Sequence, residues 1–210
     1  MSESRRWPGA LIAVEGIDGA GKTTQVVFLA EALRHAGLEV VASKEPTGGP
    51  HGAALRASAT TGRLSPRDEL QAFLADRREH VDTLIRPALE RGAVVVVDRY
   101  YYSSAAYQGA RGIPVEEVIA LNEAFAPRPD LVVLLDVPAN VGLGRVRRRD
   151  TVENLFEREE ELQRSLEIFR SLQGEHILRL DGQRPVEALH AEILEAVLQT
   201  PGVAPLLSRA

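Results

Sequence analysis

Cysteine is absent from these 210 residues, and tryptophan and methionine occur once each. Without a thiol the chain has no disulfide, no thiolate nucleophile and no cysteine-based zinc site, and nothing in it calls for an oxidising compartment. Lysine is scarce too: of 25 basic residues only Lys22 and Lys44 are lysine. Nor is there an excess of positive charge. The formal net charge of −5 argues against a general nucleic-acid binder, while leaving room for a local basic pocket that takes anions. No apolar run approaches the ~20 residues of a membrane span, and Met1 to Pro8 lack the apolar core of a secretion signal. These absences predict a cytoplasmic protein that binds neither membrane nor nucleic acid.

What is present reads as an ordinary soluble globule. With 44% hydrophobic and 26% charged residues, and a length suited to one core, a single domain over 1–210 is expected. Short apolar runs at 11–15, 39–43, 93–98, 131–136 and 176–180 alternate with helical patterns at 22–36, 52–59, 66–91, 103–108, 115–125, 141–149, 159–173 and 185–199. That rhythm predicts an α/β fold, a parallel sheet of about five strands wrapped by helices. The valines at 94–97 predict a strand buried on both faces. Residues 201–210 read as a loose tail. Right-handed crossovers bring the loops after all these strands to one edge of the sheet.

The first of those loops is Gly16-Ile17-Asp18-Gly19-Ala20-Gly21-Lys22-Thr23-Thr24. It stands where a strand turns into a helix, the context a phosphate-binding P-loop requires. Glycines let successive N–H groups curl toward phosphate oxygens, and the helix N-terminus adds its positive end. Lys22 is placed to reach the transferable phosphates and the Thr23 hydroxyl to hold Mg2+. The loop after the third strand begins Asp98-Arg99-Tyr100. A carboxylate there is a natural partner for Mg2+, and its neighbouring arginine can grip phosphate in bidentate fashion. All four tyrosines, 100, 101, 102 and 107, cluster in this region, which suggests a shaped aromatic pocket.

Other stretches read two ways on their own. Glu45-Pro46-Thr47-Gly48-Gly49 passes for an ordinary turn. Phe73 and Arg77 lie four apart on one helix face, as a pair that stacks on and donates to a base, or as a core ring with a surface charge. Arginines 145, 147, 148 and 149 end a helix, where the dipole favours them anyway. They can equally form a short lid, over about 142–157, that closes on a transferring phosphoryl group.

Taken together, the loop at 16–24, Glu-Pro-Thr-Gly-Gly at 45–49, Phe-Leu-Ala-Asp-Arg at 73–77, Asp-Arg-Tyr at 98–100, Ser-Ser-Ala-Ala-Tyr-Gln-Gly at 103–109, Arg-Pro-Asp-Leu at 128–131 and Leu-Asp-Val-Pro at 135–138 resemble the thymidylate kinases over about residues 10 to 200. The resemblance implies a P-loop nucleoside-monophosphate-kinase-like fold and ATP-dependent phosphorylation of dTMP to dTDP, toward dTTP, with Mg2+. A homodimer packed through helices is also implied. It assigns Gly16 through Thr24 to ATP, and Lys22, Arg99 and the lid arginines Arg147, Arg148 and Arg149 to catalysis. Thr23 and Asp98 are assigned to the metal.

For dTMP it implies Asp18 at the sugar 3′-hydroxyl and Phe73 stacked on thymine, with Arg77 donating to a ring oxygen. Arg99 and Arg56 would grip the acceptor phosphate. Ser104 and Gln108 fall beside the base, Tyr107 against the 2′ side of the sugar, and Glu45 and Pro46 in the same site. Ala20 supplies no charge to the P-loop, as in the form whose catalytic arginine comes from the lid. Two positions depart from the family pattern. No arginine completes the acidic run after the lid at Asp150–Glu157, and Lys44 replaces the arginine that often precedes Glu-Pro, keeping the charge without the planar fork. A related P-loop kinase for another nucleotide and an idle nucleotide-binding protein are the alternatives.

Overall fold

The computed structural model describes residues 7–147 and 155–208. Three strands make the dry centre: β1 (Ala10–Glu15), β3 (Val94–Asp98) and β4 (Leu131–Asp136) are buried along nearly their whole length. β2 (Val40–Lys44) and β5 (Ile177–Asp181) alternate toward solvent. The sheet order is β2-β3-β1-β4-β5 with every pair parallel, and each strand falls within one residue of its expected span. Unbroken valine in β3 matches its place between β1 and β2, where both faces are covered. Since β1 sits between β3 and β4, the chain reverses its direction of winding beside it, and the crevice at such a switch point is where ligands enter open α/β sheets.

Helices α1 (Lys22–His35), α2 (Pro50–Thr61), α3 (Pro66–His80), α4 (Arg86–Glu90), α5 (Tyr101–Ala110), α6 (Val115–Glu123), α7 (Ala139–Arg147), α8 (Leu155–Ser171) and α9 (Val186–Gln199) cover the sheet. α1 packs on β2, β3 and α9, while α5 lies among α3, α6 and α8. The single helix expected over 66–91 is interrupted by a π-helical turn at Val81–Ile85. Pro87 explains it: the ring lacks an N–H and crowds the carbonyl four residues earlier, so the turn before it widens. Ser65 starts α3 by accepting from Asp68 N, with proline next.

The expectation of a loose tail is corrected through residue 208. Val203 is fully buried, Leu206 and Leu207 pack against the core, and Ala204–Leu207 forms a short helix, α10. Burial of these apolar side chains is what seats it.

Candidate active site

The turn after β1 winds into α1, and Gly21 caps the helix with φ 97° and no side chain over its first amides, so those N–H groups face open space. At Gly19, φ 79°, a Cβ would come within 2.2 Å of the Gly142 carbonyl. The loop lies against α7 because this residue has none. Gly16 leads out of β1, and Ile17 and Ala20 turn inward. Gly21, Lys22, Thr23 and Thr24 line a cavity of about 340 Å3 with Asp18, Gly19, Asp98, Arg99 and Arg145.

Lys22 is buried and its Nζ donates to the Ile17 carbonyl at 2.8 Å. Burial pushes its ammonium down to about 7; the charge of Arg99 pushes the same way, and Asp18, Asp98 and Glu15 oppose it. Thr23 Oγ1 donates to Asp98 Oδ2 at 2.5 Å, which sets two hard oxygens together in the wall of this cavity. Among the described residues no group of three His, Asp or Glu forms a metal cage. A cation here would need its remaining ligands from phosphate and water, which is how Mg2+ is ordinarily held, so the pair fits that ion.

A smaller cavity of about 170 Å3 adjoins the first. Asp18 and Arg99 border both, and Glu45, Pro46, Phe73, Arg77, Tyr100, Ser103, Ser104, Tyr107 and Gln108 complete its wall. Arg99 sits at φ 70°, a region bulky side chains rarely adopt, and its surroundings hold it there. Its amide donates to Val14 O at 3.0 Å. Tyr100 N and Ser103 Oγ donate to the two oxygens of Glu15 at 2.8 and 2.5 Å. Glu15 is fully buried, and that burial lifts its carboxyl up to about 7. So anchored, the Arg99 guanidinium donates to Asp18 Oδ1 at 2.7 Å and Ser103 Oγ at 3.2 Å. Desolvation in the cleft opposes the Asp18 charge, but Arg99 and Lys22 outweigh it and hold that carboxyl below the usual range. The Tyr107 hydroxyl donates to Asp18 Oδ2 at 3.3 Å.

At the far end Arg77 is 1% exposed, neither a surface charge nor a free one. Its Nε donates to Glu45 Oε2 at 2.7 Å, Nη1 to Asn122 Oδ1 at 2.6 Å and Nη2 to Ser104 Oγ at 3.1 Å. The other Glu45 oxygen meets His80 Nδ1 at 2.9 Å. Phe73 stands half-buried beside this network. The turn at 45–49 is pinned by Asp76, which accepts from Thr47 N and Oγ1 at 2.8 and 2.6 Å.

Arg56, expected at the acceptor phosphate, makes other contacts here. Arg56 is exposed and outside the wall of the smaller cavity; its Nη1 donates to the Pro46 and Thr47 carbonyls at 3.0 and 2.7 Å. Of the arginine run, Arg145 reaches the P-loop, donating to Gly19 O at 3.1 Å and Gly182 O at 3.3 Å. Arg148, Arg149 and the side chain of Arg147 lie outside the described residues, as do residues 148–154 of the expected lid. Sequence reading passed over Glu15, Glu69, Asp76 and Asn122. Glu15 carried a signal, a charge closing a strand that is otherwise apolar, while Asn122 carried none.

The family model for thymidylate kinase matches residues 14–193. A thymidylate kinase of Xanthomonas campestris pv. campestris (strain B100) is 51% identical over 193 residues, covering 90% of this chain and 85% of its own. That of Xanthomonas oryzae pv. oryzae (strain PXO99A) gives the same figures. That of Xylella fastidiosa (strain M12) is 50% identical over 191 residues, covering 91% and 88%.

Proposed function

The chain belongs to the thymidylate kinase family, and on that premise we propose how its two cavities carry out ATP-dependent phosphorylation of dTMP. The observation that carries the reading is their shared wall: Asp18 and Arg99 border both the phosphate cavity and the smaller one, so donor and acceptor phosphates meet there. ATP lies with its phosphates against the amides of Gly19 to Thr24 and against Lys22. dTMP occupies the smaller cavity, its base between Phe73 and the Arg77, Ser104 and Gln108 side chains, with Glu45 and Pro46 behind. Its sugar lies at Asp18 and Tyr107 and its phosphate at Arg99.

An oxygen of the acceptor phosphate attacks the γ-phosphorus of ATP in line. One P–O bond forms as the bond to ADP breaks, and no protein nucleophile takes part. The protein's share is positioning and charge. Lys22, short of partners in the free protein, regains its full charge beside the phosphates. Arg99 holds the acceptor phosphate, and Arg145, with Arg147, Arg148 and Arg149 of the same run, supplies the positive charge that Ala20 leaves out of the P-loop. Thr23 and Asp98 would hold Mg2+, which would supply neutralisation of phosphate charge. Closing the lid would keep water from the reacting phosphate.

A screen with ATP and Mg2+ against dTMP, dUMP, dCMP and thymidine tests this. dTMP is expected to turn over fastest. Faster use of another acceptor moves the reading to a related P-loop kinase, and no product with any of them leaves an idle nucleotide-binding protein. A homodimer and a cytoplasmic location go with the proposal. No helix among the described residues is long and apolar enough to cross a membrane, and sedimentation tests the dimer.

A further inference from the structure

Deep in the smaller cavity Gln108 is 1% exposed, and the two ends of its amide are treated unequally. Nε2 donates to Glu69 Oε2 at 3.1 Å, whereas Oε1 is buried with no hydrogen-bond partner among the described residues. Glu69 is itself buried, on α3, and forms no part of the cavity wall. Two arginines hold it: Arg111 Nη1 donates to the same oxygen at 2.6 Å and Arg63 Nε to the other at 3.1 Å. Burial opposes the Glu69 charge, but hydrogen bonds from Arg63, Gln108 and Arg111 win and keep its carboxyl below the ordinary value. A carboxylate accepts and never donates. Turning the Gln108 amide over sets its carbonyl against that carboxylate, so the chemistry of Glu69 dictates which end faces away.

The orientation gives the cavity a pattern. Gln108 offers an acceptor, and the Arg77 guanidinium in the same wall, which gives three of its five N–H groups to Glu45, Asn122 and Ser104, has N–H groups left to donate. An acceptor beside a donor matches a ring N–H next to a carbonyl, which is the N3–H and O4 edge of thymine and uracil. Cytosine presents the reverse, an accepting N3 beside an N4 amine. A buried carbonyl without a donor is unfavourable, and the ring N–H relieves it. We propose that Glu69, without touching substrate, is a positioning residue that sets nucleobase selectivity by locking the Gln108 carbonyl toward the base; the inference rests on the dTMP kinase reading.

The test is kcat/KM for dTMP, dUMP and dCMP in the unaltered protein, in Glu69→Met and in Glu69→Gln. Removing the lock with Glu69→Met should raise the dCMP:dTMP ratio about 10- to 100-fold, the scale of one hydrogen bond to a charged group. The dUMP:dTMP ratio should stay put, because uracil and thymine share that edge. A merely structural loosening predicts that dUMP and dCMP rise together, and that outcome overturns the proposal. So does an unchanged dCMP:dTMP ratio in a folded variant. If Glu69→Met does not fold, Glu69→Gln, which can pair with Gln108 in either sense, should shift the ratio the same way by less, and an unmoved ratio there is equally fatal. The two readings fail separately: a protein that does not prefer dTMP strikes the kinase reading, whereas a selective protein with unmoved variants strikes only the role of Glu69.

Discussion

Lys22 and Arg77 are both buried cations in adjoining cavities, yet their surroundings are opposite. The hydrogen bond from the Lys22 ammonium goes to a carbonyl, Ile17 O, and the strongest charge acting on it is the like charge of Arg99, ahead of the opposing Asp18, Asp98 and Glu15. Arg77 spends all three nitrogens, on Glu45, Asn122 and Ser104. Arg77, proposed to serve a neutral base, is paired in advance and holds its wall rigid, whereas Lys22, proposed to serve phosphate, is not; Arg99, also proposed to meet a phosphate, is already paired with Asp18 and Ser103. The proposed donor side is therefore mostly backbone amides and an under-satisfied charge, and the proposed acceptor side a finished network of side chains.

The largest expected effect tests the first half of that contrast. Lys22→Ala should lower kcat by about 10³-fold or more, the scale of losing a charged donor from a phosphoryl-transfer site. Its midpoint of denaturation should barely move, since the lost ammonium was poorly paired. Arg77→Met should behave oppositely. It leaves Glu45 buried with His80 alone, and breaking a buried ion pair from one side destabilises by about 3–5 kcal/mol. Urea unfolding of both variants, run beside single-turnover kinetics, reads the two effects. Adding Glu45→Gln to Arg77→Met should recover much of the stability and none of the dTMP affinity. Equal stability losses in Lys22→Ala and Arg77→Met would dissolve the comparison.

The same contrast explains what could be read from sequence. The P-loop was legible because its groups are contiguous and its chemistry lies in the backbone, so glycine spacing reports it directly. The strands were legible to within a residue because burial on both faces leaves continuous apolar runs. The proposed acceptor side can be read only through the resemblance. Residue by residue, Arg77 reads as a surface charge, and nothing nearby in the chain announces the Glu45 and Asn122 that bury it from 32 and 45 positions away. Glu15 acts on a turn 88 positions distant and Glu69 on a glutamine 39 positions distant. The seated tail escaped for the same reason, since Val203 finds its partners only in the folded core.

A subtler effect sharpens the electrostatic half. In the free protein at pH 8 the Lys22 ammonium, pushed down to about 7, is mostly deprotonated. Phosphate favours the charged form, so ATP binding should take up a proton, and the uptake should fade as pH drops below about 7, where Lys22 is already charged. Glu15, lifted up to about 7, is mostly ionised at pH 8, and a nearby anion raises it further, so it adds to uptake in the same direction. Calorimetry in buffers of different ionisation enthalpy measures the protons. In Glu15→Gln the uptake should persist. Proton release, or no exchange at pH 8, would mean that Lys22 is fully charged before ATP arrives.

The smallest effect falls where sequence and structure part. The resemblance put Arg56 on the acceptor phosphate, while the structure puts its guanidinium on the Pro46 and Thr47 carbonyls, bracing the turn that carries Glu45. Those bonds are solvent-exposed and join a charged donor to neutral acceptors, so each contributes on the order of 1 kcal/mol. Asp76 grips the same turn independently through Thr47. Arg56→Ala should then raise KM for dTMP by about 3- to 10-fold and leave kcat and KM for ATP unchanged. A direct phosphate ligand would cost about 100-fold or more, because a charge-assisted bidentate contact is lost outright. Comparing dTMP with thymidine as ligands separates the two: bracing weakens both nucleotide and nucleoside by the same factor, whereas a phosphate contact weakens dTMP alone. If only dTMP suffers, Arg56 leaves the turn when substrate binds, and part of the acceptor side is as unfinished in the free protein as the donor side.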